Sequence, residues 1–480
     1  MTDTTPTILT DLEILVDLPS VRFEPEDGAH AIPDAATGET IAWVADVDSA
    51  DLDRAIEVAA SAQIPWAAAD DSERRAVLRA IADDVDAHAE ELARLLSRET
   101  GKPLNGLNAR FELGACSLWL RSNADIDLPD SNLFSADGHG ADLRYEPLGV
   151  VGAINPWNWP MMIAVWQIAP ALRMGNAVVV KPSENSPLSV LALAAVFQRH
   201  LPEGLLQVVP GGGAVGARLA AHPRIAKLMF TGSTATGRRI VEASAKNLAR
   251  LTLELGGNDP AIVLPDVDPA AIAQGLFWGA FVNTGQTCAA IKRLYVHEDV
   301  YEAVVDELVA LAESTPLGNG LDESSILGPL QNAKQFDIVS RLVDDARARG
   351  ARVATGGQPA PELGANFYRP TIVADIDQAA PLVQEEQFGP ALPVVKYTDL
   401  DEAIRLANST EQGLCASVWT TDDATARSVA ARIEAGTVWI NQHAAPNPIV
   451  PFGGVKGSGY GLEFGIEGLK SVSRPKVISH

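Results

Sequence analysis

Cys288 is the residue whose sequence neighbours most favour chemistry. It ends the segment Gly285-Gln-Thr-Cys288, and the apolar run Ala289-Ala-Ile291 follows it directly. Because a glycine precedes it and an apolar run follows, we expect Cys288 to open a helix, where unpaired N–H groups and the helix dipole favour a thiolate and can bind an oxyanion. The alternative is an inert buried cysteine, which is the commoner state of a lone free cysteine.

Two further polar residues stand in apolar surroundings and could assist such a nucleophile. Glu254 lies between leucines, so it is either a solvated strand residue or a carboxyl whose pKa is raised by desolvation, as a general base requires. Asn158 lies in the segment Asn155-Pro-Trp-Asn-Trp-Pro160. That segment is either a rigid aromatic turn or the support of an amide that stabilises a developing negative charge.

Two glycine-rich loops could hold a dinucleotide. Gly211-Gly-Gly-Ala-Val-Gly216 matches G-x-G-x-x-G after a predicted strand, but no acidic residue follows about 20 positions later to contact a ribose. Phe230-Thr-Gly-Ser233 also follows a strand and enters a helix at Ser233, where N–H groups and a hydroxyl suit a pyrophosphate. A plain turn with an N-cap residue would explain either loop without a ligand.

The composition of the 480 residues describes a globular protein, with 47% hydrophobic and 21% charged residues. The net charge of −25 repels phosphate backbones and anionic lipids, so we expect neither nucleic acid nor a membrane as partner. Three cysteines are too few for a disulfide framework, and residues 1–13 lack signal-peptide features, so we expect a cytoplasmic protein. The eight histidines are scattered, so we expect no metal site.

Apolar strand candidates alternate with helical patterns along most of the chain. They fall in two series, at 149–154, 177–180, 205–209 and 227–230, and at 261–264, 293–296, 352–354, 392–395, 418–420 and 437–440. This alternation predicts an α/β fold with two doubly wound parallel-sheet domains. Helical spacing at 50–62 and 72–99 predicts helices before the first series. Residues 126–145 are typical of a protruding hairpin and 471–479 of an edge strand, and both are expected to pair with another subunit.

Together these segments resemble the aldehyde dehydrogenase superfamily. The motifs that carry the resemblance stand in the family's order: Pro156-Trp-Asn-Trp-Pro160, Val180-Lys-Pro-Ser-Glu184, Phe230-Thr-Gly-Ser233, Leu253-Glu-Leu-Gly-Gly257, Gly285-Gln-Thr-Cys288, Glu386-Gln-Phe-Gly-Pro390 and Pro451-Phe-Gly-Gly454. The resemblance extends from about residue 92 to residue 461. The chain departs from the family at Leu462, where arginine is usual, and we expect that position to be remote from the chemistry.

The resemblance implies roles for the three residues above. Cys288 would be the nucleophile, Glu254 the general base, and Asn158 would form the oxyanion hole with the Cys288 N–H group. The expected substrate tunnel consists of Met162, Ile163, Trp166, Thr287 and Ala289.

The resemblance also implies a nicotinamide cofactor. NAD is expected to be preferred over NADP, because the Glu184 carboxylate would repel a 2′-phosphate. Lys181 and Glu184 would bind the adenosine ribose, Ser233 the pyrophosphate, and Glu386 and Phe388 the nicotinamide ribose and ring. The full set of expected cofactor contacts is Ile154, Pro156, Trp157, Lys181, Ser183, Glu184, Gly213, Phe230, Thr231, Gly232, Ser233, Leu255, Gly256, Glu386 and Phe388.

The implied activity is oxidation of a small uncharged aldehyde to its carboxylic acid by a homodimer or homotetramer. A cofactor domain would comprise residues 1–125 and 149–256, a catalytic domain 257–440, and oligomerisation strands 126–148 and 463–480. Two alternatives stay open. One is a coenzyme-A-acylating enzyme, although such relatives typically lack the glutamate found at 254; the other is a structural relative that has lost activity.

Overall fold

The computed structural model describes residues 10–136 and 138–480. Its strands are β1 (Val21–Arg22), β2 (Ala29–Pro33), β3 (Thr40–Ala45), β4 (Ser131–Ala136), β5 (His139–Pro147), β6 (Val150–Ile154), β7 (Ala177–Lys181), β8 (Leu206–Val208), β9 (Ile225–Thr231), β10 (Arg250–Glu254), β11 (Asp259–Val263), β12 (Ile291–His297), β13 (Arg352–Thr355), β14 (Thr371–Ala374), β15 (Ala391–Tyr397), β16 (Gln412–Gly413), β17 (Cys415–Trp419), β18 (Thr437–Ile440), β19 (Val455–Lys456), β20 (Gly459–Tyr460) and β21 (Ser473–Ser479). Its helices are α1 (Ser49–Ala68), α2 (Asp71–Ala87), α3 (Ala89–Thr100), α4 (Ala109–Asp125), α5 (Pro160–Arg173), α6 (Pro187–Gln198), α7 (Gly213–Ala221), α8 (Thr234–Ser244), α9 (Pro269–Phe281), α10 (Tyr301–Ser314), α11 (Ala333–Ala348), α12 (Pro381–Gln384), α13 (Leu400–Ala407), α14 (Asp423–Ala430) and α15 (Gly465–Ser471).

The first large sheet has the strand order β20-β10-β9-β6-β7-β8 and is parallel except for β20. Every residue of β6 and β7 is buried. Helices α1, α5, α7 and α8 pack against these strands and their neighbours. A parallel sheet covered by helices on both faces requires uninterrupted apolar strands, which is the pattern of β6 and β7.

The second large sheet has the order β13-β14-β15-β12-β11-β17-β18, with only β13 antiparallel to its neighbour among the described strands. Strands β11, β14 and β17 are buried along their whole length. Each large sheet has its own packed helices, so the predicted α/β class with two parallel sheets is confirmed.

A small antiparallel sheet, with the order β21-β5-β4, joins the end of the chain to the hairpin. Strand β21 pairs with β5 from Ser473 opposite Pro147 to Ser479 opposite Ala141. Strand β4 is exposed along its whole length. Asp137, which the sequence places at the hairpin turn, lies outside the described residues. The part of this sheet in oligomer formation stays a prediction, as do the domain boundaries.

Two differences from the prediction lie in the first 100 residues, and the strand β14 of the second sheet was not predicted either. The helical pattern at 72–99 forms two helices, α2 and α3, because His88 adopts a non-helical conformation (φ −105°, ψ 10°) between them. The apolar spacing continues across this kink, so periodicity alone does not reveal it. Residues 21–45 also form a small sheet, β1-β3-β2, that the sequence did not predict. No helix of the described residues is both long enough and apolar enough to cross a bilayer.

The first sheet brings four motif segments together at one edge. Strands β6, β7, β9 and β10 run parallel, so their carboxyl ends lie side by side. In parallel sheets this edge is where ligands bind. The segments after these strands carry Asn158, Glu184 and Ser233, and Glu254 ends β10 itself.

Candidate active site

A cavity of about 560 Å³ opens along the carboxyl ends of these four strands. Asn158 and Cys288 line it, together with every residue for which the sequence predicts a cofactor contact. Segments far apart in the chain therefore meet at one cleft. Glu254 and the five predicted tunnel residues lie outside the cavity lining.

Asn158 is held against the segment that carries Cys288. The buried Asn158 side chain donates from Nδ2 to the Gln286 carbonyl at 2.9 Å. Asn283 Nδ2 donates in return to the Asn158 carbonyl at 2.9 Å. Trp159 Nε1 adds a bond of 2.9 Å to Thr287 Oγ1. Since an amide nitrogen carries two N–H groups, Asn158 retains one for another acceptor.

The turn before Cys288 has an unusual backbone. Asn283 (φ 51°), Thr284 (φ 56°) and Gly285 (φ 75°) are three consecutive residues in the left-handed region. Such conformations cost about 1–3 kcal/mol each for residues other than glycine, and they cluster at functional sites. A Cβ atom at Gly285 would lie 2.3 Å from the carbonyl oxygen of Gly389, so this position also needs glycine for space.

The prediction that Cys288 opens a helix is wrong. Cys288 lies in a turn, and the strand β12 begins three residues later at Ile291. A short apolar run fits a strand as well as a helix, and here its continuation pairs with β11 and β15.

The prediction that the site favours the thiolate is also wrong for this structure. Cys288 is partly buried. Desolvation, together with the negative charges of Glu386, Asp259 and Glu254, raises the pKa of its thiol to about 12. With no helix beginning at Cys288, the helix dipole that the prediction invoked does not act there.

Lys292 is a buried cation close to these acids. Its Nζ donates to the Gly285 carbonyl at 2.6 Å and lies 5.1 Å from the centre of the Phe388 ring. Burial lowers the pKa of Lys292 to about 8. Burial likewise raises the pKa of Glu386 to about 7, although the charge of Lys292 opposes that shift.

Glu254 is a desolvated carboxyl and not the solvated strand residue that the sequence also allowed. It is buried, and neither of its oxygens accepts a hydrogen bond from any described residue. Burial and the neighbouring Glu463 carboxyl raise the pKa of Glu254 well above its usual range. Because β20 pairs with β10, with Gly459 opposite Glu254, the chain that follows β20 returns to this site. A Cβ atom on Gly453 would lie 3.0 Å from Leu462 Cδ2 and 3.3 Å from Glu254 Oε1, so position 462 is close to Glu254 rather than remote from it.

The adenosine end of the cavity fits a dinucleotide. Ser233 caps α8, and its Oγ accepts from the Thr236 N–H at 3.3 Å. The remaining first-turn N–H groups suit a phosphate. Lys181 Nζ lies 3.6 Å from the Glu184 carboxylate, whose side chain is 54% exposed and faces the same cavity. A cation paired with an accessible carboxylate suits ribose hydroxyl groups.

The predicted tunnel residues lie on α5 and beside Cys288. Met162 and Ile163 are buried, and Trp166 packs edge-on against Phe464 with 4.7 Å between ring centres. Thr287 Oγ1 already accepts a hydrogen bond from Trp159 Nε1. A tunnel to Cys288 through these residues stays a prediction.

Sequence reasoning missed several residues of the site. Arg239, Lys334 and Gln335 line the cavity. Lys334 and Gln335 come from the first turn of α11, in a segment without any motif that would single them out. Glu463 was missed because its place beside Glu254 depends on strand pairing between distant parts of the chain.

Comparisons with known proteins agree with this geometry. The sequence profile of the aldehyde dehydrogenase family matches residues 24–478. The phenylacetaldehyde dehydrogenase of Pseudomonas fluorescens is 40% identical over 463 residues, which are 93% of this chain and 91% of the relative. The retinaldehyde dehydrogenase 3 of Rattus norvegicus is 38% identical over 466 residues, which are 95% of this chain and 90% of the relative.

Solved structures of similar sequence share the fold of this chain. The NAD+ complex of the Bacillus cereus aldehyde dehydrogenase has a TM-score of 0.91 at 36% identity and covers 96% of each chain. An NADP-dependent enzyme of E. coli has a TM-score of 0.92 at 34% identity, with 96% of this chain and 98% of the other covered. With the family profile spanning nearly all of its length, this chain belongs to the aldehyde dehydrogenase family.

Proposed function

We propose that this chain oxidises an uncharged aldehyde to its carboxylic acid with NAD, through a covalent thioester on Cys288. The observation that carries the proposal is the meeting of Cys288 and the Asn158 amide in one cavity, joined by hydrogen bonds between their two loops. A nucleophile beside a fixed amide donor is the arrangement that acyl chemistry requires.

The first step is addition. The Cys288 thiol gives up its proton to water, the resulting thiolate sulfur forms a bond to the aldehyde carbon, and the carbonyl π electrons move to oxygen. Asn158 Nδ2 and the Cys288 N–H then donate to that oxyanion. A donor of this kind is worth about 10²–10³ in rate when it is already in place before the charge develops.

The second step is oxidation. NAD, when bound, supplies the acceptor for the hydride that leaves the former carbonyl carbon. Loss of hydride and collapse of the oxyanion leave a thioester on Cys288. We assign Lys181 and Glu184 to the adenosine ribose, Ser233 to the pyrophosphate, and Glu386 with Phe388 to the nicotinamide end.

The third step is hydrolysis. Glu254 takes a proton from water, the water oxygen bonds to the acyl carbon, and the carbon–sulfur bond breaks to release the acid and Cys288. Both Glu254 oxygens lack a described hydrogen-bond donor, so they are free to accept from water. A carboxyl with a raised pKa is a stronger base than an exposed one once it is ionised.

NAD is the proposed cofactor because of Glu184. Its accessible carboxylate would repel the 2′-phosphate of NADP. Glu184→Gln removes that repulsion and is expected to raise kcat/KM for NADP relative to NAD.

The proposed substrate has an apolar chain. Trp119, Trp166 and Phe452 all pack against the ring of Phe464. A Cβ atom on Gly453, the residue after Phe452, would lie 3.3 Å from Glu254 Oε1, so the chain next to this aromatic cluster approaches the hydrolytic carboxyl. Aromatic and aliphatic aldehydes suit an apolar neighbourhood of this kind.

The exposed β4 and β21 strands support a homodimer or homotetramer, because unpaired strand edges favour pairing between subunits. We place the cofactor on the domain of the first sheet and the nucleophile on that of the second. Sedimentation at working concentration tests the assembly, and a monomer would contradict it.

The test of function is a panel of aldehydes followed by reduced-nicotinamide absorbance. The native enzyme is expected to oxidise apolar aldehydes, and Cys288→Ala to lose that activity while it still binds NAD. Cys415→Ala, at a fully buried cysteine in β17, is the matched control and is expected to stay active. Turnover by Cys288→Ala would contradict the assignment.

A further inference from the structure

Lys102 and Glu112 form a fully buried ion pair behind the active site. Both side chains have 0% exposure, and Lys102 Nζ contacts a carboxylate oxygen of Glu112. Lys102 comes from the loop after α3 and Glu112 from the first turn of α4. Neither residue lines the cavity.

The Glu112 carboxylate holds the start of α5. Its Oε1 accepts from the backbone N–H groups of Met161 and Met162 at 2.9 and 3.0 Å. These groups belong to the first turn of α5, whose N-cap residue, Trp159, supplies no side-chain bond. Glu112 therefore supplies, from another helix, the acceptor that a capping side chain would otherwise provide.

Lys102 holds the residues just before that helix. Its Nζ donates to the Asn158 carbonyl at 2.8 Å and lies 3.6 Å from the centre of the Trp159 ring. The Asn158 carbonyl thus accepts from both Lys102 and Asn283. With this peptide fixed from behind, the Asn158 side chain has little freedom to swing out of the cavity.

The bonds to the start of α5 give Glu112 a stabilising role, but they do not require a buried lysine beside it. Desolvation of two charges costs several kcal/mol each, and apolar residues of similar volume often serve the fold equally well. The contacts of this pair converge on Asn158, Trp159 and the first turn of α5. A positional role explains that convergence.

We propose that Lys102 and Glu112 are positioning residues for the reaction, which together hold the Asn158 amide where the oxyanion forms. This inference rests on the proposed function of Asn158. Neither residue touches the reacting atoms; each acts through the backbone between Asn158 and Met162.

The test is a mutant cycle read by the pre-steady-state burst of reduced nicotinamide. The paired substitution Lys102→Met with Glu112→Gln removes the ion pair and leaves no unpaired buried charge. It is expected to slow the burst about ten- to hundredfold, since small displacements of a catalytic group cost this much. The Kd for NAD should stay within about twofold of the native value, because the cofactor contacts are untouched.

The same pair is then removed in an Asn158→Ala background. Asn158→Ala alone should slow the burst by about 10²–10³. If the pair acts through Asn158, its removal there should cost no further rate beyond about twofold. The positioning role would be overturned if removal of the pair slowed the burst equally in both backgrounds, or if the native burst rate persisted without the pair. A native burst rate in Asn158→Ala would overturn the oxyanion role, and the positioning role with it.

Two further variants separate position from folding. Glu99→Gln changes another buried carboxyl that holds a helix start, since Glu99 accepts from the Leu188 and Ser189 N–H groups of α6. Its burst rate should match the native one. Lys102→Met alone is the second variant if the paired substitution does not fold, because Glu112 keeps its two backbone N–H donors. Its loss of burst rate should likewise disappear in the Asn158→Ala background. A loss that adds to that of Asn158→Ala would contradict the proposal.

Discussion

The Cys288 thiol is expected to resist ionisation in the enzyme without cofactor. Burial and three carboxyls, led by Glu386, raise its pKa from about 9 to about 12. A rise of this size lowers the thiolate fraction at any pH below 9 by roughly a thousandfold. Because only the thiolate attacks an alkylating reagent, the reaction rate should fall in the same proportion.

The assay is alkylation by iodoacetamide, followed by mass spectrometry of the peptide that contains Cys288. Across the neutral to mildly alkaline range the rate should rise about tenfold for each pH unit, without a plateau. Cys116 and Cys415 are fully buried and are expected to react more slowly still.

Glu386→Gln removes the largest of the three charge contributions and should speed alkylation at a given pH. The matched control is Glu385→Gln, next in sequence, whose carboxylate is exposed and paired with Arg341. That variant should react like the native enzyme. A plateau below pH 9 in the cofactor-free protein, or equal rates for the two variants, would refute the electrostatic reasoning.

Three other predictions concern the fold. Burial raises the pKa of Glu99 from 4.5 to about 7, so between these pH values the folded state holds a proton that the unfolded state has lost. The free energy of unfolding of the native protein, measured relative to that of Glu99→Gln, should therefore fall by up to about 3 kcal/mol as pH rises from 4.5 to 7. Urea unfolding measures this difference, and a constant difference across that range would contradict it. Gly285→Ala should destabilise the protein by at least about 1 kcal/mol, since φ is 75° at this position and the Gly389 carbonyl leaves no room for a Cβ atom. Gly212→Ala, at a position with open space and φ −77°, should be tolerated. Thermal melts measure both variants, and equal losses of Tm would contradict the strain argument. Because the net charge is −25, raising salt from about 0.05 to about 1 M should raise Tm; a fall would show that screened ion pairs outweigh the relieved repulsion.

Much of the fold could be predicted because its signals are local. The buried strands β6 and β7 are largely apolar runs, and four of the motifs end or follow β6, β7, β9 and β10. Parallel pairing then brings the motifs to one edge without further information. The part of the cavity lining that these strands supply follows from this arrangement.

The parts that could not be predicted depend on distant contacts. Ala289 to Ile291 continues into a strand rather than a helix because β11 and β15 pair with that segment. The Cys288 pKa depends on Asp259 and Glu386, which lie 29 residues before it and 98 residues after it in the printed sequence. Lys102 and Glu112 belong to no catalytic motif, and only the folded chain places them behind Asn158.

The most direct measurement is intact-protein mass spectrometry of Glu254→Gln after mixing with aldehyde and NAD. Without a base for hydrolysis the thioester should accumulate, and the mass should rise by that of the aldehyde less two hydrogen atoms. Peptide mapping should place the added mass on Cys288, and Cys288→Ala in the same background should lack it. An adduct on another residue, or full turnover by Glu254→Gln with no adduct at all, would contradict the proposed chemistry.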